Sequence, residues 1–144
     1  MGKRRIVKTK GTSVNKELRS RALAKTGSRK IGIGTLSIQA TYNNTLVSLS
    51  DEKGNVVAWS SSGALGFAGA KKGTPFAAAK VGELIGEKAQ ILGVKDVKIV
   101  VRGVGAGRES AIRSFAGKGI GITAIVDDTP VAHNGPRPPK PRRV

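Results

Sequence analysis

Thr35-Leu-Ser-Ile-Gln-Ala-Thr-Tyr42 alternates between apolar and polar residues along its length. A period of two is typical of a β-strand with one buried face, because successive side chains point to opposite sides of a sheet. We therefore predict a half-buried strand over 35–42. The residues of its apolar face are Leu36, Ile38, Ala40 and Tyr42.

Two turn signals follow this strand, and a further strand comes after each. Asn43-Asn44 is the first turn, since asparagine tolerates left-handed dihedral angles, and Asp51-Glu-Lys-Gly-Asn55 is the second. The runs 45–50 and 56–60 are the strands that they introduce. Together the three strands predict an antiparallel meander.

A helix is predicted next, from a strong start signal. A Ser/Gly/Ala-rich loop over 60–73 ends at Thr74-Pro75, an N-cap followed by proline at the first helical position. The helix then runs to about Leu92, with Gly93 as the C-cap.

The remainder of the body returns to strands. An apolar run at 97–101 predicts a strand covered on both faces. A short helix over 108–116 and a last, alternating strand over 119–126 follow. The sequence thus predicts an α/β fold, in which an antiparallel meander and then strand-helix-strand-helix-strand form a mixed five-stranded sheet flanked by helices.

Charge divides the chain into three parts. Residues 1–30, 31–130 and 131–144 carry net charges of +10, +3 and +4. We predict a basic N-terminal arm (1–30), an α/β RNA-binding domain (31–128) and a proline/arginine-rich C-terminal tail (129–144). Lys and Arg attract phosphate whatever the base sequence, so basic N- and C-terminal extensions on a nearly balanced body indicate a nucleic-acid partner. The alternative is that the charge runs are merely solvated.

The basic arm contains a candidate helix over 14–25. Val14, Leu18 and Ala22 recur at four-residue spacing, but this apolar face is thin, so we expect the helix to order only against a partner. The composition of the arm is also that of an organellar transit peptide, which is the alternative reading.

Residues for catalysis and metal binding are scarce. The chain has no cysteine, and its single histidine, His133, lies in the tail, which excludes thiol catalysis, thiolate zinc sites and His-based triads. Asp127-Asp128 is interpreted as a helix end or a salt bridge to the arms, and Glu83 is expected to pair with Lys80. We expect no enzymatic activity, cofactor, metal or membrane span.

The sharpest local signal is the segment Arg102-Gly-Val-Gly-Ala-Gly-Arg-Glu-Ser-Ala-Ile-Arg113. A glycine loop (103–107) that leaves a strand and opens a helix exposes backbone N–H groups at a positive helix end, which suits phosphate. Arg108 and Arg113 add guanidinium groups. The spacing fits neither a dinucleotide fingerprint nor a Walker loop, and the alternative is a tight turn with surface arginines.

Four segments in order resemble the bacterial-type S11 family of small-subunit ribosomal proteins. They are Ile38–Thr45, the Trp59-containing loop up to Thr74-Pro75, Gly103–Arg113 and Thr129–Lys140. The resemblance implies a ribonuclease H-like architecture without its catalytic carboxylates. It also implies a structural, cytoplasmic ribosomal protein that binds ribosomal RNA in the platform, near the messenger exit. Val104 and Pro136 depart from the family pattern, which has proline and cysteine there.

The motifs and the resemblance together predict RNA-binding residues in the arm, the turns, the loops and the tail. They are Arg29, Lys30, Asn43, Asn44, Ser61, Ser62, Lys71, Lys72, Gly105, Gly107, Arg108, Arg113, His133, Asn134, Arg137, Lys140, Arg142 and Arg143. The expected partners are small-subunit ribosomal RNA, neighbouring platform proteins and nearby messenger RNA, with no membrane. The rival functions are a nucleic-acid-processing enzyme, disfavoured because strand 35–42 contains no acid, and a free nucleic-acid chaperone.

Overall fold

The computed structural model of the chain describes residues 16–143. Its elements are α1 (Lys16–Ala24), β1 (Ile33–Ala40), β2 (Thr45–Asp51), β3 (Val56–Ser61), a 3-10 helix (Gly69–Gly73), α2 (Pro75–Ile91), β4 (Asp96–Arg102), α3 (Arg108–Ala116) and β5 (Gly121–Asp127). The first half of the predicted basic arm, residues 1–15, lies outside the described part.

The five strands form one mixed sheet in the order β3-β2-β1-β4-β5. β2 pairs antiparallel with both β1 and β3, whereas β4 pairs parallel with both β1 and β5. Short turns suffice for the antiparallel meander, but each parallel pair needs a crossover, and α2 and α3 supply these. The predicted α/β fold with a mixed five-stranded sheet is confirmed. The ribonuclease H-like architecture stays a prediction.

The hydrophobic core lies between the sheet and the helices α2 and α3. Leu36 and Ile38 of β1 stand opposite Leu49 and Val47 of β2, and all four side chains are fully buried. Phe115 of α3 is also fully buried in this cluster. The apolar residues of β1 therefore face the core as predicted, as far as Ala40, where the strand ends.

Both ends of α2 follow the predicted signals. The Oγ1 atom of Thr74 accepts a hydrogen bond from the backbone N–H of Ala77 at 3.3 Å, and Pro75 is the first helical residue. At the other end Gly93 has a φ of 76°, and the N–H of Val94 donates to the carbonyl of Ala89 at 3.0 Å. This arrangement satisfies the last carbonyls of the helix.

Two expectations about burial are wrong. Tyr42 is 80% exposed, because β1 ends at Ala40 and the next residue, Thr41, already forms the turn. β4 is buried on one face only: Val97 and Ile99 are buried while Lys98 is exposed. Lys98 interrupts the apolar run, and its polar side chain marks the face of β4 that the helices do not cover.

The helix in the arm forms against the body of the same chain. Nη2 of Arg19 lies 2.5 Å from Oε1 of Glu87 on α2, and Ala22 and Leu23 pack against the core. The expectation that this helix orders only against a partner is wrong, because one long-range ion pair and two partly buried side chains supplement its thin apolar face.

Candidate nucleic-acid interface

Most of the predicted RNA-binding loops leave one edge of the sheet. β1, β3, β4 and β5 run in the same direction, and β2 begins at the end where β1 stops. We call this end the carboxyl edge. Open α/β sheets bind ligands there, at the point where the strand order reverses. In this sheet that point lies between β1 and β4.

The glycine loop packs directly on the Asn43-Asn44 turn. The backbone N–H of Gly105 donates to the carbonyl of Ala40 at 3.0 Å. A Cβ on Gly103, whose φ is 99°, would collide with that same carbonyl, and a Cβ on Gly105 would collide with the carbonyl of Thr41. Only glycine permits so close an approach. The main chain of the loop is therefore held against the turn.

Polar atoms without partners gather at this edge. The Oγ1 of Thr45, the Oγ of Ser62 and the Oδ1 of Asn44 have no hydrogen-bond partner among the described residues. Thr45 and Ser62 are fully buried, and the N–H of Ser62 donates to the carbonyl of Thr45 at 3.1 Å. Buried polar atoms normally have a partner, so water or a ligand is needed here. The sequence did not point to Thr45 as a site residue, because threonine is common in β-strands.

Two lysines lie beside the same turn. Lys71 is exposed and Lys72 is half-buried in the 3-10 helix. That helix ends at Gly73, which lies against the carbonyl of Tyr42. The predicted cations of this loop are therefore close to the predicted asparagine turn, although the two segments are far apart in sequence.

Arg108 connects the glycine loop to the start of the tail. Its guanidinium donates to the carbonyl of Gly103, to Oγ1 of Thr129 at 3.2 Å and to Oδ2 of Asp127 at 2.5 Å. About a third of the side chain, 30%, stays exposed. Whatever contact Arg108 makes with RNA, it therefore also holds two segments of the carboxyl edge together.

The tail root, residues 127–129, is a compact hydrogen-bonded unit. Oδ1 of Asp127 accepts from the hydroxyl of Thr129 at 2.6 Å and from its backbone N–H at 3.0 Å. Hydrogen bonds from Thr129, and next from Arg108, lower the pKa of Asp127 to about 2. Asp128 accepts from Nη2 of Arg102 at 2.5 Å.

Asp127 and Asp128 thus form salt bridges, as one of the two interpretations of this pair predicted, but their partners differ from the predicted ones. Among residues 16–143 the partners are Arg102 and Arg108 and not the basic arms. The parallel pairing of β4 with β5 explains this, since Val101 stands opposite Asp127 and the two strand ends coincide. In the same part of the chain, no group of three or more acidic or histidine side chains is placed to hold a metal ion.

Some predicted residues lie away from this cluster. Arg29 and Lys30 precede β1 at the opposite edge of the sheet, where Nη2 of Arg29 lies 3.7 Å from Oδ2 of Asp51. Arg113 projects from α3 with 82% of its side chain exposed and pairs with Glu109 at 3.5 Å. Any RNA that meets all of these residues must extend beyond the carboxyl edge.

The tail leaves the carboxyl edge as an exposed, irregular segment. Its predicted RNA-binding residues, all exposed, are His133, Asn134, Arg137, Lys140, Arg142 and Arg143. Asn134 has a φ of 54°, the left-handed conformation that asparagine tolerates better than most residues. The tail root fixes where this cationic segment starts.

The family model for ribosomal protein S11 matches residues 34–143. This range is more than three quarters of the chain. The chain belongs to the ribosomal protein S11 family. The family is one of structural, non-enzymatic ribosomal proteins. As a member, the chain is a structural protein of the small ribosomal subunit that binds ribosomal RNA. The match includes the whole carboxyl edge and begins after α1.

None of the helices within residues 16–143 is long and apolar enough to cross a bilayer.

Proposed function

We propose that this S11-family protein binds ribosomal RNA through the carboxyl edge of its sheet, in the platform of the small subunit near the messenger exit of cytoplasmic ribosomes. The observation that carries the proposal is the convergence of four segments at one edge: the Asn43-Asn44 turn, the loop with Lys71 and Lys72, the glycine loop and the tail root. The platform and exit location follow from the resemblance to the family.

The start of α3 is the proposed phosphate site at this edge. Gly107 is the N-cap and provides no side-chain cap bond. The first N–H groups of a helix have no intrahelical partner and carry the positive end of the helix dipole, so a phosphate there gains several donors at once. Lys71 and Lys72 neutralise phosphates next to the adjacent turn.

The tail extends the proposed contact along the RNA. Its prolines keep the backbone extended, so Arg137, Lys140 and Arg142 are spaced along a segment that loses little conformational entropy on binding. Arg29, Lys30 and Arg113 would contact RNA that continues past the edge.

Platform proteins are the proposed protein neighbours, and β5 is the surface that suits them best. β5 is an edge strand, and Ile125 is 57% exposed on it. An unpaired strand edge with exposed apolar side chains favours contact with another polypeptide.

Retention in washed small subunits tests the proposal. Lys71→Gln with Lys72→Gln should release the protein at lower salt than the wild type, because two phosphate contacts are lost. In binding to small-subunit RNA, the log–log salt slope should fall by about 1.4 to 1.8. The matched control is Lys95→Gln with Lys98→Gln, which removes the same charge from exposed positions of the body outside the carboxyl edge. Equal effects from both pairs would refute a localised site, and a wild-type chain that washes off entirely would indicate a nucleic-acid chaperone.

A further inference from the structure

A cleft of about 540 Å³ lies between α1 and β3. We call it the α1 cleft. Leu18, Arg21 and Ala22 of α1 line one side, residues 57–60 of β3 line the other, and Lys88 of α2 completes the lining. This cleft is separate from the carboxyl edge and involves a helix that lies outside the S11-family match.

The lining of the α1 cleft is cationic. Arg21, Lys25 and Lys88 contribute three positive side chains, and the lining contains no Asp or Glu. Arg21 and Lys25 are exposed at the helix end. The potential inside a cleft with charge of one sign favours an anionic occupant.

Lys88 is the unusual member of this set. The residue is only 7% exposed, and its side chain lines the cleft. Burial lowers the pKa of Lys88, because it removes water from the charged form. The neighbouring acid, Glu87, instead pairs with Arg19 and Lys118. An ammonium that has lost part of its hydration is stabilised by a nearby negative charge, so an anion in the cleft would favour the charged form of Lys88.

The wall formed by α1 is held in place. The Arg19–Glu87 ion pair and the packing of Ala22 and Leu23 join this helix to α2 and the core. The cleft is therefore present before any ligand enters it.

An aromatic side chain completes the arrangement. Trp59 lines the cleft and is 58% exposed. It is the only tryptophan of the chain. Cationic grooves with an accessible aromatic face are typical of sites for single-stranded nucleic acid, in which a base stacks on the ring. The N-terminal residues 1–15 are an unsuitable occupant, since they carry five cations and no acid.

We propose that the α1 cleft binds one nucleotide of single-stranded ribosomal RNA, with its phosphate at Lys88 and Arg21 and its base against Trp59. This inference rests on the proposed function, because it adds a second RNA contact to a chain that already binds RNA elsewhere. An acidic peptide of a neighbouring protein is the competing occupant.

Fluorescence of Trp59 tests this proposal in the full chain. A labelled single-stranded decamer of uridylate reports total binding by anisotropy, while Trp59 quenching reports occupation of the cleft. Lys88→Met should weaken the quenching transition about tenfold, the loss of one charge-assisted contact, and leave total binding nearly unchanged. The matched control, Lys98→Met, removes one exposed lysine from β4 and should alter neither signal. In thermal unfolding, the Lys88→Met variant should be at least as stable as the wild type, because methionine fills the largely buried site without a charge.

The outcomes separate the two proposals. If the decamer binds without quenching Trp59, the cleft proposal is overturned and the carboxyl-edge proposal stands. The same holds if Trp59 of the Lys88→Met variant is quenched at the wild-type concentration of decamer. If an oligo-aspartate peptide quenches Trp59 and the decamer does not, the occupant is a protein. If the wild-type chain fails to bind the decamer at all, the proposed RNA-binding function itself is contradicted.

Discussion

Nη2 of Arg108 lies 2.5 Å from Oδ2 of Asp127, and this contact joins the first turn of α3 to the last residue of β5. The same guanidinium also reaches the glycine loop. The direction in which the C-terminal tail leaves the body is therefore coupled to the loop proposed to hold phosphate.

Removing the charge of Asp127 should loosen the tail root. In Asp127→Asn the ion pair with Arg108 is lost and the acceptor of the Thr129 N–H is weakened, so this amide should exchange with solvent faster. Hydrogen exchange measured by NMR checks this. Glu109→Gln is the control, since it breaks an exposed ion pair on α3 and should leave Thr129 unchanged. Equal exchange in both variants would show that Asp127 does not order the tail root.

The tail root should also respond to acid. The pKa of Asp127 is lowered from 3.8 to about 2, so its carboxylate favours the folded state above pH 4. That contribution is lost as the pH falls from about 4 towards 2, because in this range protons bind more readily to the unfolded state, whose carboxyl has its ordinary pKa. The amide shift of Thr129 should report a midpoint near 2, and the transition should be absent in Asp127→Asn. A midpoint near the ordinary value of 3.8 would contradict the hydrogen-bond network.

Gly105→Ala should destabilise the protein by about 1–3 kcal/mol, since the new Cβ collides with the Thr41 carbonyl and the backbone has to shift. Thermal or urea unfolding measures the loss. Gly117→Ala is the matched control: its Cβ would stand 3.5 Å from the carbonyl oxygens of Arg113 and Ser114, an ordinary contact, and φ is −60°. A similar loss in both variants would point to a general glycine effect and not to close packing of the loop.

Deletion of residues 136–144 should flatten the salt dependence of RNA binding without changing thermal stability. The deletion removes four cations, so the log–log slope should fall by up to about three units. The cations are Arg137, Lys140, Arg142 and Arg143. Replacing the four cations by glutamine, with the prolines kept, should have the same effect on the slope. If the deletion lowers the slope and the glutamine variant does not, the length of the tail and not its charge sets the salt dependence.

The fold could be predicted where local patterns coincide with tertiary packing. The alternation of Leu36 and Ile38 identified β1, and Thr74-Pro75 identified the start of α2, because both signals depend on residues adjacent in sequence. The exposure of Tyr42 could not be predicted, since the strand ends two residues before it, at Ala40.

The site was predictable in its parts but not in its assembly. The glycine loop and the asparagine turn carry local signals, whereas their contact depends on the parallel pairing of β1 with β4. The role of Arg108 depends likewise on the end of β5 lying beside the end of β4. Pairing register decides these relationships, and no local pattern reports it.

The carboxyl edge draws on segments from the Asn43-Asn44 turn to Thr129, so its first segment is synthesised well before its last. A chain released before β5 is complete lacks the partners of Arg102 and Arg108, and so it lacks an ordered tail root. Incorporation through this edge would then select copies that extend through the tail root and leave shorter ones to degradation. The same arrangement that positions the tail can thus act as a check that synthesis has passed β5.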